Sequence, residues 1–207
     1  MTLSEFDNEI RKDYNVVCGC DEAGRGPLAG DVFAAAVIFD KDTVIEGIND
    51  SKKLTAKKRE ELFDEIMEKA VDFSIQTATV EEIEDINILN AAMLAMKRAV
   101  EDMDTKPDVC LIDGNKTPEG LECPAIAVVK GDAKSQAVAA ASILAKVARD
   151  RYMEQMAEQY PEYRFEKHKG YGTKLHYQMI DQYGPCGIHR MLSLIHISEP
   201  TRPLYIS

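Results

Sequence analysis

Apolar residues recur along the first 160 positions in two rhythms, one with the period of strands and one with that of helices. Val16 to Cys20 and Val32 to Phe39 are short apolar runs bounded by Gly and Pro, the pattern of buried strands. Ahead of them, Phe6 and Ile10 share one face of a short helix expected over Ser4–Asp13, with Ser4 as its N-cap. Asn49-Asp50-Ser51 marks a turn. Thr55 then caps a helix carrying Leu62, Phe63, Ile66, Met67 and Ala70 at helical spacing. Val71 to Ala78 alternates as a strand does. Thr79 and Glu82 form a capping box for a helix whose predicted core face is Ile86, Leu89, Met93, Met96 and Val100. Val109 to Ile112 and Ala125 to Val129 read as two further strands. Ser135 opens an Ala-rich helix through Val138, Ala141, Ala145, Ala148, Tyr152 and Met156, and Pro161 stops it. Early strands followed by alternating helix and strand predict an α/β fold, a mixed sheet flanked by helices over residues 1–160. Beyond Pro161 the chain becomes polar, aromatic and Gly-rich, and residues 161–191 are expected to form a small C-terminal helical and loop lobe.

Composition refines this picture without changing it. The longest unbroken apolar run is the eight residues Val32 to Phe39, whereas crossing a bilayer takes roughly 20. We therefore expect no membrane association, and no secretory signal opens the chain. Five Cys, an odd number, in a chain of 207 residues favour a reducing, cytoplasmic setting over a disulfide framework. A net charge of −11, from 25 Lys and Arg against 36 Asp and Glu, argues at first against nucleic acid as a partner. The charge is uneven, however. Residues 130–176 carry nine Lys/Arg and six Asp/Glu, a local +3 that leaves −14 on the remainder. A basic segment on an acidic body is what a nucleic-acid groove needs.

Four acids stand at the ends of predicted strands. Cys20-Asp21-Glu22-Ala23-Gly24-Arg25-Gly26-Pro27-Leu28-Ala29-Gly30 delivers two adjacent carboxylates and then a loop whose glycines let backbone N–H groups approach anionic or hydroxyl oxygens. Successive strand residues point to opposite faces, so Asp21 and Glu22 share a site only where the strand ends or twists. Asp113 ends the strand Val109–Ile112, and Asp132 follows Val128-Val129-Lys130-Gly131. Open α/β sheets place their sites at the carboxyl edge. Converging carboxylates need cations, and an all-oxygen donor set suits Mg²⁺ or Mn²⁺. Zinc fits poorly: Cys18-Gly19-Cys20 is spaced by one residue within a strand, and His168, His176, His189 and His196 are late and scattered. Lys167-His168-Lys169-Gly170-Tyr171-Gly172-Thr173-Lys174 combines cations, a ring and hinge-like Gly, which suits a loop that touches phosphates and stacks on a sugar or base.

These residues resemble the ribonuclease HII family. The stretch Asp21 to Gly30 looks like its signature, and companions follow in family order. They are Asp50-Ser51-Lys52-Lys53-Leu54, Ile112-Asp113-Gly114-Asn115, Val129-Lys130-Gly131-Asp132, Ala140 to Asp150, His168 to Thr173, and Gly187-Ile188-His189-Arg190. The resemblance covers roughly residues 6 to 191. It implies an RNase H-like fold and an endonuclease that hydrolyses RNA in RNA–DNA hybrids. Single ribonucleotides in duplex DNA would be nicked on their 5′ side, leaving a 3′-hydroxyl and a 5′-phosphate. Carried over by position, Asp21, Glu22, Asp113 and Asp132 would bind two Mg²⁺ or Mn²⁺ ions. Gly24, Arg25 and Gly26 would read the ribose 2′-hydroxyl, and Tyr171 would stack on the neighbouring sugar. Ser51, Lys52, Lys53, Lys146 and Lys169 are further phosphate-contact candidates. Two bound cations would also offset the acidic net charge at the point where phosphate sits.

Asp150 is the rival for the fourth acid. It falls well inside the predicted helix, where pairing with Lys146 or Arg151 is expected instead. Ser142 is ambiguous between a site role and close helix packing. Two other readings remain: a hybrid-binding protein without catalysis, for which four acids leave little room, and an RNase H-like nuclease acting on DNA junctions, which has no need of Gly24-Arg25-Gly26 with Tyr171. We expect a monomer. Leu192 to Ser207, including Ser198-Glu199-Pro200-Thr201-Arg202-Pro203, departs from the family pattern and is expected to be a foreign, weakly ordered tail.

Overall fold

The computed structural model describes residues 1–194. Five strands form one sheet: β1 (Val17–Ala23), β2 (Val32–Ile38), β3 (Asp72–Ala78), β4 (Val109–Asp113) and β5 (Ala125–Val128), in the order β3-β2-β1-β4-β5. The first three are antiparallel neighbours, whereas β4 and β5 run parallel to β1. This is the mixed sheet expected from the order of elements.

Period-two alternation along β2 divides the core between the two faces. Ala34, Ala36 and Ile38 pack with Cys18 and Cys20 against α3 (Val80–Glu101). Ala35 and Val37 face α2 (Ala56–Lys69) and α4 (Gln136–Gln159). The first half of α4 is almost wholly buried, and its small residues let the helix lie close on the sheet. Cys18, Cys20 and Cys110 are buried free thiols; burial pushes Cys18 and Cys20 above the ordinary thiol range, and hydrogen bonding with Cys20, against that with Cys18, raises Cys110 along with burial. They serve as small core residues.

Two helices differ from the sequence expectation. α1 (Leu3–Ile10) starts earlier, with Thr2 rather than Ser4 as its cap, because Glu5 closes a capping box back onto Thr2. Its Asp7 is buried and accepts the Ala137 N–H at 2.9 Å, capping the start of α4 from another element. In α3, Asn87 adopts φ +67° and its side chain accepts the N–H groups of Leu89 and Asn90, so the helix restarts there. Of the expected core face, Met96 and Val100 are buried with Ala91, Ala92, Ala95 and Ala99, Ile86 and Met93 pack against that core, and Leu89 lies on a cavity wall.

After Pro161 come α5 (Phe165–His168), α6 (Lys174–Tyr183) and α7 (Met191–Leu194). Tyr163 and Phe165 pack on Ala29 of the Gly-rich loop and Met153 of α4. This packing brings the C-terminal segment against the edge of the sheet that carries the acids. Ser198 to Pro203 lie outside the described residues. No helix among the described residues is long and apolar enough to cross a membrane.

Candidate active site

The acids meet where one strand pairing stops. The β1–β4 register ends at Cys20 opposite Ile112, so the next residues on the two parallel strands are Asp21 and Asp113. β1 itself continues to Ala23, held by β2 with Asp21 opposite Ala35 and Glu22 opposite Ala34. The two adjacent acids therefore lie inside the strand and not past its end, and they alternate in direction. Asp21, on the α4 side, is buried in a cavity of about 450 Å³ also lined by Gly24, Arg25, Gly26, Ser51, Lys52, Ser142, Lys146 and Tyr171. Glu22 borders this cavity and a second one of about 200 Å³, where it joins Asp113, Leu89 and Met93.

The electrostatics are those of crowded carboxylates. Burial first, then the negative charges of Glu22 and Asp113, hold the Asp21 carboxyl well above the usual carboxylate range. Asp132 sits in a 3-10 turn (Gly131–Ala133) outside both cavities, and it is raised by burial, Asp113 and Asp50. Among the described residues, no three His, Cys, Asp or Glu side chains already close on a point as a metal cage does. Three of the four acids are turned to local partners instead. Asp21 accepts the Glu22 N–H at 2.7 Å, Glu22 pairs with Arg25 at 3.1 Å, and Asp113 accepts the Gly131 N–H at 2.7 Å. The donor set is nonetheless all oxygen, with too much negative charge for one guanidinium to balance. That fits hard divalent cations.

The other candidates separate. Tyr171 is 42% exposed on the cavity wall, with Lys146 Nζ 5.8 Å and Arg149 Cζ 5.9 Å from its ring centroid. A methyl group at Gly26 would lie 3.7 Å from that ring, so loop and ring are neighbours. Ser51 and Ser142 share a buried hydrogen bond of 2.8 Å at the cavity floor. Ser142 thus lines the cavity as well as packing within α4. Lys169 is spent elsewhere, its ammonium held by Glu154 at 2.7 Å and the Glu166 carbonyl. Lys53 reaches Asp50 at 4.0 Å and is absent from the cavity wall. Asp150 pairs with Lys146 at 2.6 Å, while Arg151 turns to Glu60. Of the locally basic stretch 130–176, only Lys146 contributes a cation to the wall of the larger cavity. Arg25 and Lys52 supply the others.

The late histidines, scattered in sequence, are clustered in space. His168 and His176 stack with centroids 4.3 Å apart, and the Nε2 atoms of His176 and His189 are 3.0 Å apart. Their neighbours fix the protons. His189 Nδ1 accepts the Cys186 N–H, so its Nε2–H donates to His176, whose Nδ1–H then donates to the Tyr171 carbonyl at 3.0 Å. The chain of bonds holds the backbone under the Tyr171 ring, and it leaves no acceptor for an added proton. His168, stacked on His176, donates Nε2–H to the Tyr163 carbonyl. Burial lowers His176 and His189 to about 4. Because these folded values lie below the unfolded value near 6.5, the stability they confer is complete above that pH and is lost as pH falls toward 4. Urea unfolding from pH 7 to 4 is expected to show this loss. A His189→Gln variant, which cannot take up the proton, should show a shallower slope.

Comparison with known proteins shows the family and the fold. The Ribonuclease HII family model matches residues 18–194, three residues past the Met191 limit of the motif pattern. The ribonuclease HII of Caldicellulosiruptor saccharolyticus is 53% identical over 191 residues, covering 92% of this chain and 93% of its own. Among solved structures, the ribonuclease H2 of Pyrococcus horikoshii OT3 superposes with a TM-score of 0.71 at 30% identity, covering 86% of this chain and 93% of that one. Bst-RNase HIII, solved in complex with Mn²⁺, gives 0.65 at 18% identity over 82% of this chain and 63% of that one, a likeness of fold. With the sheet order, the strand-edge acids and a match over most of its length, the chain belongs to the ribonuclease HII family, ribonuclease H type 2 hydrolases that cleave RNA in RNA–DNA hybrids as endonucleases.

Proposed function

We propose that the chain nicks duplex DNA on the 5′ side of a single embedded ribonucleotide, as well as cleaving longer hybrids, and leaves 3′-hydroxyl and 5′-phosphate ends. The observation that carries this reading is the placement of a Gly-rich loop and an exposed ring on the same cavity as the buried Asp21. Asp21, Glu22, Asp113 and Asp132 are the proposed ligands of two Mg²⁺ or Mn²⁺ ions. When bound, such ions supply an activated water and charge stabilisation at the leaving oxygen. The residues of the chain orient the substrate. Gly24-Arg25-Gly26 is the proposed reader of the 2′-hydroxyl, the group that separates RNA from DNA. Tyr171 stacks on the adjoining sugar, and Ser51, Lys52 and Lys146 meet phosphates. Lys146, already on the cavity wall, would turn from Asp150 to do so, and Lys53 and Lys169 would have to leave Asp50 and Glu154. The Mn²⁺ held by the HIII structure supports the choice of ion class. The free, buried thiols support a reducing compartment, the cytoplasm, and we infer a monomer.

Three matched duplexes, with one ribonucleotide, four ribonucleotides or none, test the reading in the presence of Mg²⁺ or Mn²⁺. Cleavage is expected in the first two only, at the 5′ side of the single ribonucleotide, and EDTA should abolish it. Cleavage of the all-DNA duplex, or cleavage that survives EDTA, would overturn it.

A further inference from the structure

Two guanidinium groups, Arg149 and Arg190, are 0% and 1% exposed, and neither touches a carboxylate among the described residues. Both spend their donors on backbone carbonyls at one place. Arg149 donates to the carbonyls of Ala29, Asp31 and Lys169. Arg190 makes five contacts to four carbonyls. Nε and one terminal nitrogen meet Gly30 at 2.8 and 2.5 Å, and the latter also reaches Asp31 at 3.3 Å. The other terminal nitrogen meets Pro27 at 3.0 Å and Arg25 at 3.4 Å. The backbone around Arg190 adds a short bridge, with Ala29 opposite His189 and the Arg190 N–H donating to Leu28.

This arrangement has a consequence on the other side of the loop. In a planar trans peptide the carbonyl and the following N–H point in opposite directions. Drawing the Arg25 carbonyl inward turns the Gly26 N–H outward, and drawing in Pro27 does the same for Leu28. The Leu28 N–H is taken by the Gly170 carbonyl at 2.8 Å. Gly26 is exposed on the cavity wall, and its N–H has no partner among the described residues. A buried cation beneath the loop also places the negative ends of these peptide dipoles inward and the positive ends toward the cavity. A loop so held presents donors, and a 2′-hydroxyl or phosphate oxygen can accept from them.

We propose that Arg190 is a positioning residue for ribonucleotide specificity: its fork sets the face of the Gly24–Gly26 loop, and so the aim of the Gly26 N–H, without touching substrate. The inference rests on the proposed reading of that loop as the 2′-hydroxyl reader. It explains why an arginine is suited here. A lysine keeps the charge but cannot span carbonyls from residue 25 to residue 31.

The test is binding rather than turnover. Fluorescence anisotropy in EDTA compares a duplex carrying one ribonucleotide with the same duplex in all-DNA form. The parent protein is expected to prefer the ribonucleotide. In Arg190→Lys the preference should fall by about fivefold, the scale of one lost hydrogen bond, with all-DNA affinity changed by less than about twofold. If Arg190→Lys does not fold, Arg190→Ala in millimolar guanidinium chloride, far below denaturing levels, is expected to regain the preference. An unchanged preference in Arg190→Lys, an equal loss of affinity for both duplexes, or no recovery with guanidinium would overturn the assignment. Absence of any preference in the parent protein would overturn the loop reading itself, and this inference with it.

Discussion

Asp21→Asn is expected to lower Mg²⁺-dependent cleavage by about 10³-fold or more, roughly 4 kcal/mol of transition-state stabilisation, while leaving the metal-free protein at least as stable as its parent. The two halves of this result share one cause. Asp21 is buried at the open edge of β1, next in register to Asp113 and adjacent to Glu22. Its carboxyl is held well above its ordinary range by burial and by those two charges. A carboxylic acid whose folded value is raised favours the folded state below its unfolded value and costs stability once pH rises past it. At neutral pH the ionised Asp21 is therefore a burden that the fold bears for the sake of a cation. Asparagine keeps the shape and removes the charge. Thermal melts in EDTA should show Tm unchanged or higher, and cleavage assays of the single-ribonucleotide duplex should show the loss. Cleavage within tenfold of the parent, or a Tm lower by several degrees, would remove Asp21 from the proposed ligand set or from the crowded-charge account.

Gly19→Ala is expected to destabilise the fold by about 3 kcal/mol, at the upper end of ordinary overpacking. Gly19 lies in β1 beneath the start of α4. A methyl group there would meet the Ala137 carbonyl carbon at 2.2 Å and the Val138 nitrogen at 2.3 Å. Both are backbone atoms, so no rotamer change relieves the clash; the helix must lift from the sheet. Lifting α4 also moves Ser142, Lys146 and Arg149, which contribute the cavity floor, its wall and the support of the Gly-rich loop. Denaturant unfolding reads the stability, and activity should fall with it. Parent-like stability would show that β1 and α4 are less closely held than their contacts indicate.

The elements of the fold were legible because each is announced locally. Caps at Thr55, Thr79 and Ser135 mark helix starts, and apolar runs mark the strands. Among the acids, Asp113 does end its strand after a four-residue apolar run, whereas Asp21 and Glu22 lie inside β1, which continues to Ala23 on its β2 side. Where a prediction failed, a local signal had a competitor. Ser4 yielded to Thr2 because Glu5 stands three residues beyond the latter. The core face of α3 held at Met96 and Val100, with Ile86 and Met93 packed against it, but no apolar period reports the break at Asn87.

What sequence alone determined is the elements and the positions of the acids among them, because each depends on neighbours within about one helical turn or one strand, and the mixed sheet follows from the order of those elements. The tertiary structure decided the partnerships. It joined Ser51 to Ser142, gathered three distant histidines beneath Tyr171, and sank Arg149 and Arg190 under the Gly-rich loop. It also drew most of the basic 130–176 stretch away from the larger cavity, onto acids, carbonyls or solvent. The bond from Arg190 to Gly30 closes across 160 positions. Such a pairing follows from strand order and from the way α4 and the C-terminal segment pack, and charge or periodicity along the chain carries no record of it.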